Sequence, residues 1–225
     1  LETSLYPWLR SGALSTSAAS LRDSYAGRGI VMTTGAKHFL YAHHSIRALR
    51  MVGSTLPIEV HYLGRADLSP AHIAALTALP NVTVQDLSLA FALSPERFHS
   101  WAIKPFAMLA SSFREMIFVD ADALFFQPPE TLFDSEAYKR TGTAFFMDRT
   151  MLRGTQRIRE FALNAIGVPS EYAWCHGRVF RNLTLHEGES GVVVYDKVVN
   201  FHALLLAAKM NLEPWKGFMY RHVHG

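Results

Sequence analysis

Asp120 and Asp122 stand one residue apart in the stretch "REMIFVDADALFF", Arg114 to Phe126, between two apolar runs. A buried carboxylate is costly unless something positive meets it. In an extended strand, residues two apart point to the same side. If the "IFV" strand continues through the triplet, both carboxylates project together from near its carboxyl end. That edge is where open α/β sheets take their ligands. Two hard oxygen ligands, with no cysteine and no tight histidine cluster beside them, suit Mg²⁺ or Mn²⁺. Such an ion also takes phosphate oxygens, so the pair reads as a diphosphate clamp.

Two other chemistries use the same triplet. A D-x-D is common, and its carboxylates often cap backbone N–H groups in a turn. Here "MIFV" before and "ALFF" after leave little room for an ordinary solvated turn. In phosphotransferases of the haloacid dehalogenase type the first aspartate is a nucleophile. That motif sits on the first strand of its domain, with Thr or Val two residues after the second aspartate. This triplet lies mid-chain and has Leu124 at that position. The third reading is a sugar-nucleotide transferase, whose metal would neutralise charge on the leaving diphosphate.

The hydrophobic pattern supplies elements to position these residues. "GIVMTT", "LPIEVHYLG", "NVTVQDL", "TGTAFFMD" and "SGVVVYDK" read as further strands. Helical spacing of Phe39, Leu40, Ile46, Leu49 and Val52 predicts a helix from Lys37 to Val52. Ser69-Pro70 and Ser94-Pro95 carry helix-start signals. "KPFAMLASSF" leads as a helix into the D-x-D strand. "GTQRIREFALNAIG" reads as an amphipathic helix closed by Gly167 and Pro169, and "NFHALLLAAKMN" as a later helix. Strands alternating with helices predict an α/β layered fold with a largely parallel sheet. Residues 1–28 read as a lead-in segment, and 29–225 as one domain.

The 225 residues are nearly half hydrophobic and under a fifth charged, which permits a real core and argues against disorder. No apolar run reaches bilayer length. A net charge of +3 and eleven histidines would draw in anions such as nucleotide phosphates. No basic stripe interleaves with aromatics, so nucleic acid is not an expected partner. Cys175 is the single cysteine, read as a buried thiol, and it excludes an intrachain disulfide. Two N-x-S/T sequons, at Asn81 and Asn182, hint at a secretory compartment.

Several stretches together resemble the Golgi α-mannosyltransferase family of fungi that includes the α-1,3-mannosyltransferases. They are "GRGIVMTTG", "IRALR", "LPIEVHYLG", "ADLS", "WAIKPFAMLASSFREMIFVDADALFFQPPETLF" and "ESGVVVYDK", in order over nearly the whole chain. The resemblance implies a GT-A type nucleotide-diphospho-sugar transferase, with a Rossmann-like, largely parallel sheet flanked by helices. It implies GDP-mannose as donor, Mn²⁺ (or Mg²⁺) as cofactor, a mannosylated glycan as acceptor, and retention of configuration, with an α-1,3 product favoured over α-1,2. It also implies a type II membrane anchor upstream and a Golgi lumenal site. The family sequence is expected to continue past Gly225. A retaining transferase using a UDP-sugar is the alternative among enzymes. A glycan-binding or scaffold module that kept the fold is the alternative outside them.

By that resemblance Asp120 and Asp122 take the D-x-D role, Asp122 as the firmer metal ligand and Asp120 shared between metal and ribose. Thr33, Thr34 and Gly35 end the first strand, where such folds receive the nucleoside, although an ordinary strand-to-helix turn has the same composition. Asp86 ends the third strand and would hold base or ribose, or else be solvated. Lys104 would counter donor phosphate, or else snorkel. Glu189 is the expected catalytic carboxylate, just before the small pair Ser190 and Gly191, which would border the donor sugar. It would act as nucleophile or only bind sugar hydroxyls, with Glu187 as its rival and a surface ion pair as the alternative for both. His222, His224 or a residue beyond 225 would supply a third metal ligand. His43 and His44 are left without a role.

Overall fold

The computed structural model describes residues 18–91, 100–213 and 215–219. Ser94-Pro95, His222 and His224 lie outside the described residues. The chain divides into two compact units, residues 1–144 with 191–212, and residues 145–190 with 213–225.

Helix α1 (Ala18–Ser24) lies in the expected lead-in, and β1 follows at Arg28–Thr33. Next come α2 (Phe39–Met51), β2 (Ile58–Tyr62), α3 (Pro70–Thr77), β3 (Val82–Asp86) and the single-turn α4 (Leu87–Ala90). A 3₁₀ turn over Ser100–Ile103 leads into α5 (Lys104–Ala110) and then β4 (Glu115–Val119). A second 3₁₀ segment (Pro129–Asp134), α6 (Glu136–Thr141) and β5 (Thr143–Met147) follow. The second unit carries α7 (Thr155–Ile166) and α8 (Glu171–His176). Strand β6 (Gly188–Asp196) returns the chain to the first unit, where α9 (Phe201–Met210) packs, and α10 (Trp215–Met219) belongs to the second.

The sheet order is β3-β2-β1-β4-β6-β5. Strands β3, β2, β1 and β4 run parallel, and β6 pairs antiparallel with β4, Ile117 opposite Val194. The sheet is therefore largely parallel, as the alternation of elements predicts. Its central strands are buried on both faces, which explains their near-continuous apolar sequence. Ile30, Met32, Ile117 and Val119 point into one core with Ile46 and Leu49 of α2 and Leu76 of α3. Val31, Met116 and Phe118 point into the other with Phe106 and Leu109 of α5 and Phe201 and Leu204 of α9. Each such side chain contributes roughly 1.5–3 kcal/mol of transfer free energy.

Helix starts follow their caps. Ser69 Oγ accepts the His72 N–H at 3.2 Å with Pro70 at the first turn, as the sequence signal requires. Ser135 caps α6 in the same way, and Gly142 closes it in the left-handed region, φ 71. Gly142 also has no room for a side chain, because a Cβ would fall 2.8 Å from Asn200 Nδ2.

One expectation about the D-x-D is corrected. Strand β4 stops at Val119, and Asp120 to Ala123 form a turn closed by the Ala123 N–H on Asp120 O at 3.0 Å. The pleat therefore does not carry both aspartates. Aspartate favours such turns because its short carboxylate suits the tight backbone.

In the second unit the loop between α8 and β6 is knit by polar side chains. Arg178 Nη1 donates to the carbonyls of Asp148 and His186 at 3.0 and 3.2 Å. Buried Thr184 Oγ1 accepts the Met151 N–H at 3.0 Å. Cys175, expected to be buried, is exposed on α8. That helix buries no side chain, so its residues carry no core requirement. Asn81 (φ 55) and Asn182 (φ 58) are the non-glycine residues with positive φ among those described. Asparagine tolerates that conformation better than most residues. Backbone geometry thus accounts for the asparagine of both sequons whether or not either carries a glycan.

Candidate functional site

The first unit holds a cleft of about 660 Å³ at the carboxyl ends of β1 and β4. One wall is the turn after β1, with Thr33, Thr34 and Gly35. Lys104, Asp120 and Asp122 line the cleft as well. The fold brings these six sequence-predicted residues to one cavity, because parallel strands β1 and β4 are neighbours in register, Met32 opposite Val119.

Asp120 leaves β4 with its N–H donated to Gly191 O at 2.7 Å, so β6 fixes its backbone. Its carboxylate is half-buried and takes the Lys104 ammonium on Oδ2 at 2.7 Å. Lys104 Nζ also lies 5.6 Å from the centre of the Phe118 ring. Lys104 is the first residue of α5, with Pro105 beside it pre-setting the helical φ. Asp122 is exposed at the tip of the turn. The site thus offers one carboxylate already paired and one open to solvent.

Thr34 is buried, and its N–H donates to His61 O at 3.0 Å, which extends the β1–β2 pairing one residue past the strand. Gly35 has a steric reason. A Cβ there would fall well inside van der Waals contact distance of Asp67 Oδ1. Asp67 was not singled out as a site residue, although "ADLS" contains it. Its Oδ2 accepts the Leu63 N–H at 3.0 Å, and its own backbone N–H donates to Gly64 O. Burial raises the Asp67 pKa, against the pull of the Leu63 N–H, with Asp86 raising it further. Trp101 also borders the cleft and is largely exposed. Its sequence signal is a tryptophan three residues before Lys104, in "WAIKPFAML".

Asp86 is not among the cleft-lining residues. Its Oδ1 accepts the Ser88 N–H at 2.9 Å and the Gly64 N–H at 2.8 Å, so it caps α4 and holds the loop after β2. Gly191 meets the site through its carbonyl, which accepts from Asp120. Glu189 and Ser190 fall in the second unit, on the first residues of β6. Glu187 is committed elsewhere in that unit, accepting the N–H groups of Arg178 at 2.9 Å and Val179 at 2.7 Å. His43 packs on Phe39, and His44 Nδ1 lies 2.6 Å from Leu40 O, both on α2. Among the described residues no three His, Cys, Asp or Glu side chains come together as a metal site.

Comparison with known proteins extends this geometry. A family model described as "Mannosyltransferase putative" matches residues 27–225. Alpha-1,3-mannosyltransferase MNN1 of Saccharomyces cerevisiae is 30% identical over 83% of this chain and 31% of its own length. MNT3 of the same yeast, also named an alpha-1,3-mannosyltransferase, is 26% identical over 88% of this chain and 36% of its own length. The chain spans well under half the length of the curated relatives it matches. Among solved structures, the galactosyltransferase LgtC in complex with donor and acceptor sugar analogues aligns with a TM-score of 0.51. That match is 15% identical and covers 84% of this chain and 65% of LgtC. The likeness shows the fold, which is the GT-A type expected from the sequence.

Proposed function

The chain belongs to that mannosyltransferase family, and on this premise we propose that its cleft binds GDP-mannose for transfer of mannose to a mannose hydroxyl of a glycan. The configuration at the anomeric carbon is retained in this reading, and the linkage is α-1,3. The observation that carries it is the cleft itself. Its volume suits a small ligand, and its lining joins the turn after β1 to an acidic edge at β4.

Asp120 and Asp122 present only carboxylate oxygens, with no soft ligand beside them, a donor set that fits Mn²⁺ or Mg²⁺. These two residues would hold the ion, and diphosphate oxygens would be further ligands. When bound, the ion supplies positive charge that neutralises the leaving diphosphate. Lys104 balances Asp120 in the ligand-free protein and, as a compact cation on a flexible stem, can turn to a phosphate oxygen. Asp67 beside Gly35 offers a carboxylate oxygen to a ribose hydroxyl or to the N–H edge of guanine.

Glu189 is the carboxylate we assign to the donor sugar. It lies two residues before Gly191, whose carbonyl anchors Asp120. In the transfer the bond from the mannose anomeric carbon to phosphate oxygen breaks, and a bond to the acceptor oxygen forms. Retention needs either a carboxylate nucleophile on the far face of the sugar or same-face delivery, in which the leaving phosphate takes the acceptor proton. The full-length protein is read as a type II membrane protein of the Golgi lumen. No helix of the described residues is long and apolar enough to cross a membrane, so that anchor is not part of them.

A thermal-shift panel tests the donor. GDP-mannose and GDP should raise the melting temperature in a Mn²⁺-dependent way, and UDP-sugars should not. Stabilisation by a UDP-sugar but not by GDP-mannose would replace the donor assignment.

A further inference from the structure

Lys197, immediately after β6, has no exposed surface. Its ammonium enters the base of the first unit and donates to the carbonyls of Met108 and Leu109, each at 3.3 Å, and of Ser111. These are carbonyls of the last turn of α5 and of the residue that caps it, where a cation also meets the negative end of the helix dipole. The Tyr25 ring closes over the ammonium at 3.5 Å.

The same loop is gripped from its other side by Glu59 of β2. That carboxylate is buried and accepts the Ser112 N–H at 3.2 Å and the Ser112 hydroxyl at 2.5 Å. The loop continues through Phe113, whose ring occupies the space a Cβ on Gly29 would need. The backbone N–H of Lys197 further ties the start of β4 through Arg114 O at 2.8 Å. A buried cation thus holds the carbonyl side of the 111–113 loop, and a buried anion holds its N–H side. Two buried charges are an expensive way to fasten a loop that apolar packing would stabilise as well.

What the loop joins gives that expense a purpose. It connects α5, which begins with Lys104, to β4, which ends at Asp120. We propose that Lys197 is a positioning residue of the donor cleft, its ammonium together with Glu59 clamping the α5–β4 loop so that Lys104 and Asp120 are held at their 2.7 Å separation. The clamp is remote from the ligand and acts through the two elements. The inference rests on the reading of the cleft as a sugar-nucleotide site.

The test is a double-mutant cycle with an independent structural readout. Lys197→Met keeps the unbranched stem to within one atom and removes the charge and its three donors. Global stability does not discriminate, since burying the ammonium has its own cost. Amide exchange in the ligand-free protein should speed about tenfold in α5 and stay unchanged in α2. With Mn²⁺ present, the GDP-mannose dissociation constant should rise about tenfold in Lys197→Met. In a Lys104→Met background the same change should add less than about twofold, because the Lys104–Asp120 pair whose separation it holds is already broken. Equal losses in both backgrounds, or unaltered exchange in α5, would overturn the positioning role. If Lys197→Met does not fold, Ser112→Ala loosens the same loop from the Glu59 side and carries both readouts. Should the unsubstituted protein bind no sugar nucleotide, the functional reading falls and takes the donor side of this inference with it. The exchange result would still decide whether Lys197 holds α5.

Discussion

The Lys104 ammonium lies 2.7 Å from Asp120 Oδ2, and both side chains are partly sheltered at 14% and 27% exposure. In this state the cation offsets charge at one of the two proposed metal ligands. A divalent ion binding there has to compete with it. Lys104→Met should therefore strengthen binding of Mn²⁺ alone by about threefold, the scale of a partly exposed ion pair. The same substitution should weaken GDP-mannose in Mn²⁺ by about tenfold, because phosphate loses a cation. Titration calorimetry with metal and with donor separates the two signs. A parallel loss of both would mean that Lys104 only props Asp120.

Asp122 sits exposed on the tip of the Asp120–Ala123 turn and has no part in closing it. Asp122→Ala should change stability by no more than about 0.5 kcal/mol, as for most surface positions. It should nevertheless abolish the metal-dependent part of donor stabilisation in a thermal shift. Undiminished transfer by this variant would remove the metal role from the triplet.

The layered sheet was legible because its strands bury both faces and so read as unbroken apolar runs, as "GIVM" and "MIFV" do. The helix at Ser69-Pro70 was legible because its cap is local chemistry. The end of β4 was not. Nothing in "FVDADAL" distinguishes a strand that continues from one that turns, since Asp120 still donates its N–H to Gly191 O of β6 while the Ala123 N–H already closes the turn on Asp120 O. Asp86 was misleading for a related reason. A carboxylate at the end of a strand looks the same in sequence whether it faces a ligand or caps Ser88. Asp67 became visible as a site residue only when the fold set it against Gly35.

Gly35 has to be glycine because Asp67 Oδ1 occupies the space beside its Cα. Asp67 cannot readily retreat while its other oxygen takes the Leu63 N–H. Gly35→Ala should cost about 1–3 kcal/mol by overpacking, read as a lower urea midpoint. Donor binding should suffer beyond that, since the displaced carboxylate borders the nucleoside end of the cleft. Recovery of stability in the Gly35→Ala, Asp67→Ala double variant, without recovery of donor binding, would separate the two effects.

Glu189 is assigned to the sugar and not to the nucleotide. Glu189→Gln keeps size and hydrogen bonding while removing the charge. Its kcat should fall by about 10²-fold or more, with the GDP-mannose dissociation constant within about threefold of the unsubstituted protein. Equal losses in binding and turnover would make it a residue that only binds mannose hydroxyls.

Glu59 makes acid the condition under which the first unit should loosen. Burial alone would raise its pKa, but hydrogen bonds from His61, Ser112 and Ser111 and the charge of His61 outweigh that and hold it near 2, against 4.5 in the free side chain. His61 Nε2 lies 3.5 Å from Oε2, and the Ser112 hydroxyl closes on Oε1 at 2.5 Å. A folded pKa below the unfolded one means that the unfolded chain binds the proton first. The stabilisation, about 3 kcal/mol for a shift from 4.5 to about 2, is present above pH 4.5 and is lost as pH falls towards 2. Lys197 stays protonated in both states across that range, since its folded pKa is lowered by burial only to about 7. Glu115, also depressed, adds to the same acid limb from the edge of β4, so the comparison has to be between variants. Urea midpoints measured at pH 6, 4.5 and 3 should drop more steeply for the unsubstituted protein than for Glu59→Gln, which has no proton to gain. Parallel pH profiles for the two would show that Glu59 is not the group that acid titrates.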